Sequence, residues 1–167
     1  MKILRVAALA VLLILSLMLV LGQSSKGSNE SHKADLTGYE EVPAISSTGS
    51  GELRLKVDED SQIIEYELSY ENLEGTTTTA SHIHLGQKSV NGGVIAFFCG
   101  GGGKPACTPG SGTFSGTIIP TDVIGPTAQG LAAGEFAEVL KALRAGQIYV
   151  NVHTNKHPGG EIRGQVK

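Results

Sequence analysis

The sequence predicts an all-β domain, an antiparallel, Greek-key-like β-sandwich carrying one short helix. Three observations predict it. Short segments alternate polar and apolar residues with period two, glycine-rich turns separate them, and a single segment has helical spacing instead.

The clearest strand is Gly51–Val57, in which Leu53, Leu55 and Val57 share one face. The polar turn Asp58-Glu59-Asp60-Ser61 leads into Ile63–Tyr70, which alternates again, so the two form a hairpin. Thr76–Leu85 follows, rich in threonine and β-branched residues. Val90-Asn91-Gly92-Gly93 is a turn signal before the apolar run Val94–Phe98, and Gly112–Ile119 is a further short strand. Across Glu135–Arg144 the apolar residues Phe136, Val139, Leu140 and Leu143 fall at i, i+3, i+4 and i+7, with Gly146 as a stop. That is the one helix. Gln147–Thr154 and Glu161–Lys167 flank His157-Pro158-Gly159-Gly160 as a closing hairpin.

Ahead of the strands, Lys2 and Arg5 flank the start of an apolar run, Val6–Leu21, followed by Gly22-Gln23-Ser24-Ser25. A basic start, an apolar middle and small polar residues read as an export signal over residues 1–22. With Ile3 and Leu4 added, residues 3–21 are also long enough for an uncleaved membrane anchor, and both readings stay open. Residues 23–33 are Ser-, Gly-, Asn- and Lys-rich without periodicity, a flexible linker. It contains the sequon Asn29-Glu30-Ser31 and the isolated His32, read as a solvated residue. The domain proper is 34–167, long enough to bury a core, and its expected location is secreted or extracytoplasmic.

Beyond Gly22 the remaining 11 basic residues stand against 16 acidic ones, a net charge of −5. No basic run and no aromatic–basic interleaving appear, so nucleic acid is not an expected partner. The two cysteines, Cys99 and Cys107, enclose Gly100–Ala106. In an exported chain such a pair reads as a disulfide, worth about 2–3 kcal/mol for a loop this short, and the spacing is not that of a metal finger.

Four of the five histidines fall in two segments, Ser81–Gly86 and Asn151–Glu161. Residues two apart on a strand share a face, so His82 and His84 stand side by side. On the last hairpin Tyr149, Asn151 and His153 share the polar face, and Glu161, Arg163 and Gln165 oppose the apolar Ile162 and Val166. The candidate metal ligands are therefore His82, His84, His153 and His157, with Asn151, Glu161 and Arg163 around them. Imidazole-rich sets suit copper or zinc, and copper(II) is favoured. The bland reading of the same residues is cross-strand hydrogen bonding, with a Glu161–Arg163 ion pair of small net value. Tyr149 and Phe97 read as packing residues.

Other chemistries have little support. No serine sits in a G-x-S-x-G elbow, so nucleophilic catalysis is not indicated. The Gly100–Gly103 run is followed by no G-K-S/T and opens no helix, so it is not a phosphate loop. Asp58-Glu59-Asp60 lacks the alternating ligand spacing of a calcium loop.

With these residues in view the chain resembles the CHRD domain family, named for the domain repeated in chordin. The resemblance runs through Leu36-Thr37-Gly38-Tyr39-Glu40-Glu41-Val42-Pro43, then Ala80-Ser81-His82-Ile83-His84 and Asn91-Gly92. It closes with Ala145–Thr154 and Pro158–Gln165. It implies an extracellular β-sandwich and leaves function open, because folds of this kind host unrelated activities. A looser similarity is to copper/zinc superoxide dismutases, Greek-key sandwiches that place an H-x-H strand pair on copper. This chain lacks an evident bridging histidine and an aspartate for a second metal, so only a mononuclear site follows. Three functional expectations result. The first is an exported, non-enzymatic domain that binds one transition metal. The second is an extracellular interaction or matrix module with a protein partner and structural histidines. The third is a copper-dependent, dismutase-like redox enzyme.

Overall fold

The structure, a computed structural model, describes residues 30–167. The segment read as an export signal or anchor, and Asn29, lie outside the described residues. No helix among those described is long and apolar enough to cross a membrane.

Eight strands form one continuous antiparallel ladder. In chain order they are β1 (Glu30–Thr37), β2 (Ser50–Asp58), β3 (Ile63–Glu71), β4 (Thr78–Leu85), β5 (Val94–Cys99), β6 (Gly112–Ile118), β7 (Ile148–Thr154) and β8 (Ile162–Gln165). Their spatial order is β5-β4-β7-β8-β1-β2-β3-β6, so β5 and β6 are the two ends of the ladder. The sheet rolls on itself into a nearly closed, sandwich-like barrel. The links β3→β4 and β6→β7 cross over between non-adjacent strands, which is the expected Greek-key character.

The strand pattern explains the ladder. Leu53, Leu55 and Val57 on β2 face inward with Ile64, Tyr66, Leu68 and Tyr70 on β3, while their alternate neighbours face solvent. Burying such a side chain is worth about 1.5–3 kcal/mol. A one-residue slip would turn the apolar row outward, so this burial fixes the register. The β4–β7–β8 wall differs, because its outer face is covered as well. Ile148 through Val152 are all buried, apolar residues inside and polar ones outside.

The first strand corrects the expected boundary. β1 begins at Glu30, inside the span read as linker, and pairs with β2 along its whole length. Its polar composition hides it: only Ala34 and Leu36 mark the inner row, and the ladder with β2 supplies the rest. His32 is accordingly not a solvated linker residue. Its side chain is largely covered, and Nε2 lies 2.7 Å from Glu30 Oε1.

The helix α1 (Phe136–Arg144) lies in the β6→β7 crossover and buries the predicted stripe of Phe136, Val139, Leu140 and Leu143 in the core. Arg144 ties it to Glu30 on β1 and to Glu59 in the β2–β3 turn. Cys99 and Cys107 form the expected disulfide, which pins the loop between β5 and β6.

Candidate metal centre

The site lies on the outer face of the β4–β7–β8 wall, beneath three loops. Antiparallel pairing sets His82 opposite Asn151, His84 opposite Tyr149 and Ala80 opposite His153, while Asn151 in turn faces Arg163 on β8. Cross-strand partners share a face, so the ladder alone gathers these side chains. Irregularities in the β4–β5 register at Ser81/His82 and Ile83/His84 accompany the burial of both histidines.

His82, His84 and His153 converge. Each offers a ring nitrogen within 4.8 Å of those of the other two. His82 stands 4.5 Å from His84 and 4.6 Å from His153 between ring centres. Bonds of about 2.0–2.1 Å would set ligand nitrogens about 3.3–3.6 Å apart, so the rings need to close by roughly an ångström to hold zinc or copper.

Backbone carbonyls fix two of the tautomers. His84 Nδ1 donates to the Gly92 carbonyl at 2.9 Å, and His153 Nδ1 donates to that of Pro158 at 2.9 Å. A carbonyl only accepts, so in the neutral rings both Nε2 atoms carry lone pairs. Each of those Nε2 atoms lies 3.0 Å from Asn151 Oδ1, which is also an acceptor. The other end of the Asn151 amide lies on the side of Gly160 and the Glu41 carboxyl. Two ring nitrogens and the Asn151 side-chain amide thus meet on one face of the wall. The buried His82 Nδ1 has no hydrogen-bond partner. Burying such an atom without a partner is unfavourable, and the three histidines are a group that could hold a metal ion.

Electrostatics keep the rings neutral. Burial pushes His82 down to about 3, helped by the neighbouring His84 and His153. Burial likewise brings His84 down to about 4, against the opposing bonds to Gly92 and Asn151. His153 is lowered mainly by burial, against its bond to Pro158. Unprotonated imidazoles are the ligand form, and here no proton need be displaced near neutral pH.

A second layer holds the first. The Tyr149 ring stacks on His84 at 4.5 Å with only 4° between planes, and the Gly92 amide donates to Tyr149 Oη at 3.1 Å. Phe97 sets its edge against His82 at 4.9 Å. Both packing residues therefore pack on histidines. Arg163 is buried, with its guanidinium carbon 3.4 Å from the centre of the Tyr149 ring. It donates to Asn91 Oδ1 at 2.9 Å and to the Val90 carbonyl at 2.8 Å.

Two expected members of the site stand elsewhere. His157 is not brought to the other three: it sits in the β7–β8 turn, its amide held by Thr154 Oγ1, with Nε2 4.0 Å from Glu74 Oε2. Glu161 neither orients a histidine nor pairs with Arg163. Its carboxylate accepts from Ser47 Oγ at 2.7 Å, the Glu74 amide at 2.6 Å and Thr154 Oγ1 at 2.6 Å. The residue missed is Glu41, buried beside Asn151 and Gly160, with Oε1 unbonded. Its signal was the E-V-P of the opening motif. Desolvation pushes its carboxyl up to about 7, against the Arg163 charge, Asn151 and the Val42 backbone. A surface groove of about 980 Å³ runs over β1, β2, β3 and β6 and shares no residue with the histidine group.

Those motifs assemble one site from segments spread along the whole domain, and the CHRD domain family matches the sequence over residues 32–166. The chain belongs to the CHRD domain family. Neither a curated protein nor a solved structure gives a match. In this CHRD domain the H-x-H strand, the N-G turn, the N-V-H strand and the final E-I-R strand are the four pieces of the histidine centre and its surround.

Proposed function

We propose that this CHRD domain is an exported, non-enzymatic binder of one transition metal, with copper favoured over zinc. His82, His84 and His153 are the ligands and Asn151 supports them. The observation that carries the reading is the convergence of three largely buried, neutral histidines whose ring nitrogens lie within 4.8 Å of one another, two of them oriented by backbone carbonyls. Neutral nitrogen donors without a thiolate or carboxylate in the set suit copper or zinc rather than magnesium or calcium. No other group of three such residues occurs among those described, which supports a mononuclear site and hence capture, buffering or delivery. Export rests on residues 1–22 and on the disulfide, which belongs in an oxidising compartment.

Metal analysis of the purified protein tests the reading. Wild type and His157→Ala take up about one equivalent of copper, while a His82→Ala/His84→Ala variant and His153→Ala do not. Metal at a hundredfold excess over Kd adds about 2.7 kcal/mol and raises Tm by roughly 5–15 °C. Equal and negligible uptake of copper and zinc by all four proteins sinks the proposal. A second reading, a cell-surface or matrix module, draws on the same rings as cross-strand hydrogen-bonding groups. It expects the alanine variants to lose stability with no metal-dependent shift in wild type. A dismutase-like redox role needs more than binding, namely superoxide consumption by the loaded protein.

A further inference from the structure

The surroundings of the histidines hold a charge that binding does not explain. Arg163 is 2 % exposed, and among the described residues no carboxylate lies within ion-pair distance of it. Its partners are neutral: the Val90 and Gln87 carbonyls and the Asn91 side chain. A buried guanidinium cannot escape by deprotonation, so the cation is permanent. Its guanidinium carbon sits over the Tyr149 ring, and Tyr149 lies flat against His84. The two separations, 3.4 Å and 4.5 Å, bring the charge within about 8 Å of the His84 ring, close enough to act through a partly desolvated interior.

We infer that Arg163 is a tuning residue of the histidine site, a fixed positive charge that biases bound copper toward Cu(I) over Cu(II). The inference rests on the copper-binding reading above and narrows it. Three neutral imidazoles contribute no negative charge, so the site has nothing of its own to offset a divalent ion. Arg163 then repels Cu(II) about twice as strongly as Cu(I). The buried Glu41 carboxyl feels the same cation and, held up at about 7 by desolvation, offsets it only in part. Imidazoles alone point to copper(II); the charge behind Tyr149 points the other way.

The test is the midpoint potential of the copper-loaded protein, read from the Cu(II) paramagnetic signal during titration with a one-electron mediator that supplies or removes the electron. Asn91→Asp is the decisive variant. It is isosteric, its residue is exposed, and it places a carboxylate on the atom that Arg163 already meets at 2.9 Å. Arg163→Gln removes the charge outright, and Arg163→Lys keeps it. Asn91→Asp and Arg163→Gln are expected to lower the Cu(I):Cu(II) affinity ratio about tenfold, which is about 59 mV for one electron, with Arg163→Lys close to wild type. Equal potentials in wild type and Asn91→Asp overturn the inference, whether or not Arg163→Gln folds. A wild type that takes up no copper overturns instead the reading on which it rests.

Discussion

Glu41 and Glu161 are both buried carboxyls on the polar side of the fold, yet their surroundings drive them in opposite directions. For Glu161, burial raises the pKa, but hydrogen bonds from Thr154, the Glu74 amide and Ser47 outweigh it and hold the carboxyl below its usual range. It is a structural anion, with its oxygens already taken. Glu41 has an unbonded oxygen, and desolvation dominates. Its folded pKa of about 7 exceeds the ordinary 4.5, so the folded protein holds a proton that the unfolded chain has lost. Its contribution to stability is therefore full below 4.5 and is lost as pH rises through 7. Replacing Glu41 with Gln removes that dependence. Between pH 4.5 and pH 7, wild type should lose about 3 kcal/mol relative to Glu41→Gln, measured by urea unfolding at each pH. Parallel pH profiles for the two proteins would show that Glu41 is ionised throughout.

At the scale of elements, the site depends on how strands and loops meet. The loop between β4 and β5 touches three layers at Gly92: its carbonyl accepts from His84, its amide donates to Tyr149, and a Cβ there would overlap the Leu85 backbone. Gly92→Ala must move that turn. It is expected to cost about 2–4 kcal/mol in unfolding free energy and to weaken copper uptake by at least tenfold, read by calorimetry on the folded variant. Unchanged affinity would mean that His84 does not need its carbonyl partner. Much of this was legible in the sequence. Period two found β2, β3 and the β7–β8 hairpin, β-branched content, an apolar run and turn signals found β4, β5 and β6, and helical spacing found α1. The H-x-H pair and His153 were legible because β periodicity decides which side chains share a face. β1 was not, since its outer row and half its inner row are polar. The fates of His157 and Glu161 were not legible either. Both depend on where the β7–β8 turn directs its side chains, and that is set by Thr154, Ser47 and Glu74 rather than by strand alternation.

Across the whole molecule, the ladder ends at β5 and β6, and the disulfide pins the connection between them. Gly101 in that loop lies so close to the Phe97 ring that a Cβ would overlap it, and Phe97 in turn meets His82. The pin therefore acts on the edge of the barrel and, through one ring, on the histidines. Replacing both cysteines with serine should lower stability by about 2–3 kcal/mol, checked by urea unfolding against the oxidised parent. A loss below a few tenths of a kcal/mol would show that the loop is held by packing alone. In the middle of the ladder, Lys33 on β1 and Lys167 after β8 exchange backbone hydrogen bonds of 2.9 Å. That meeting point lies beside Ile148, whereas His153 stands five residues further along β7. The histidine-bearing end of β7 therefore lies away from the point where β1 meets the segment after β8.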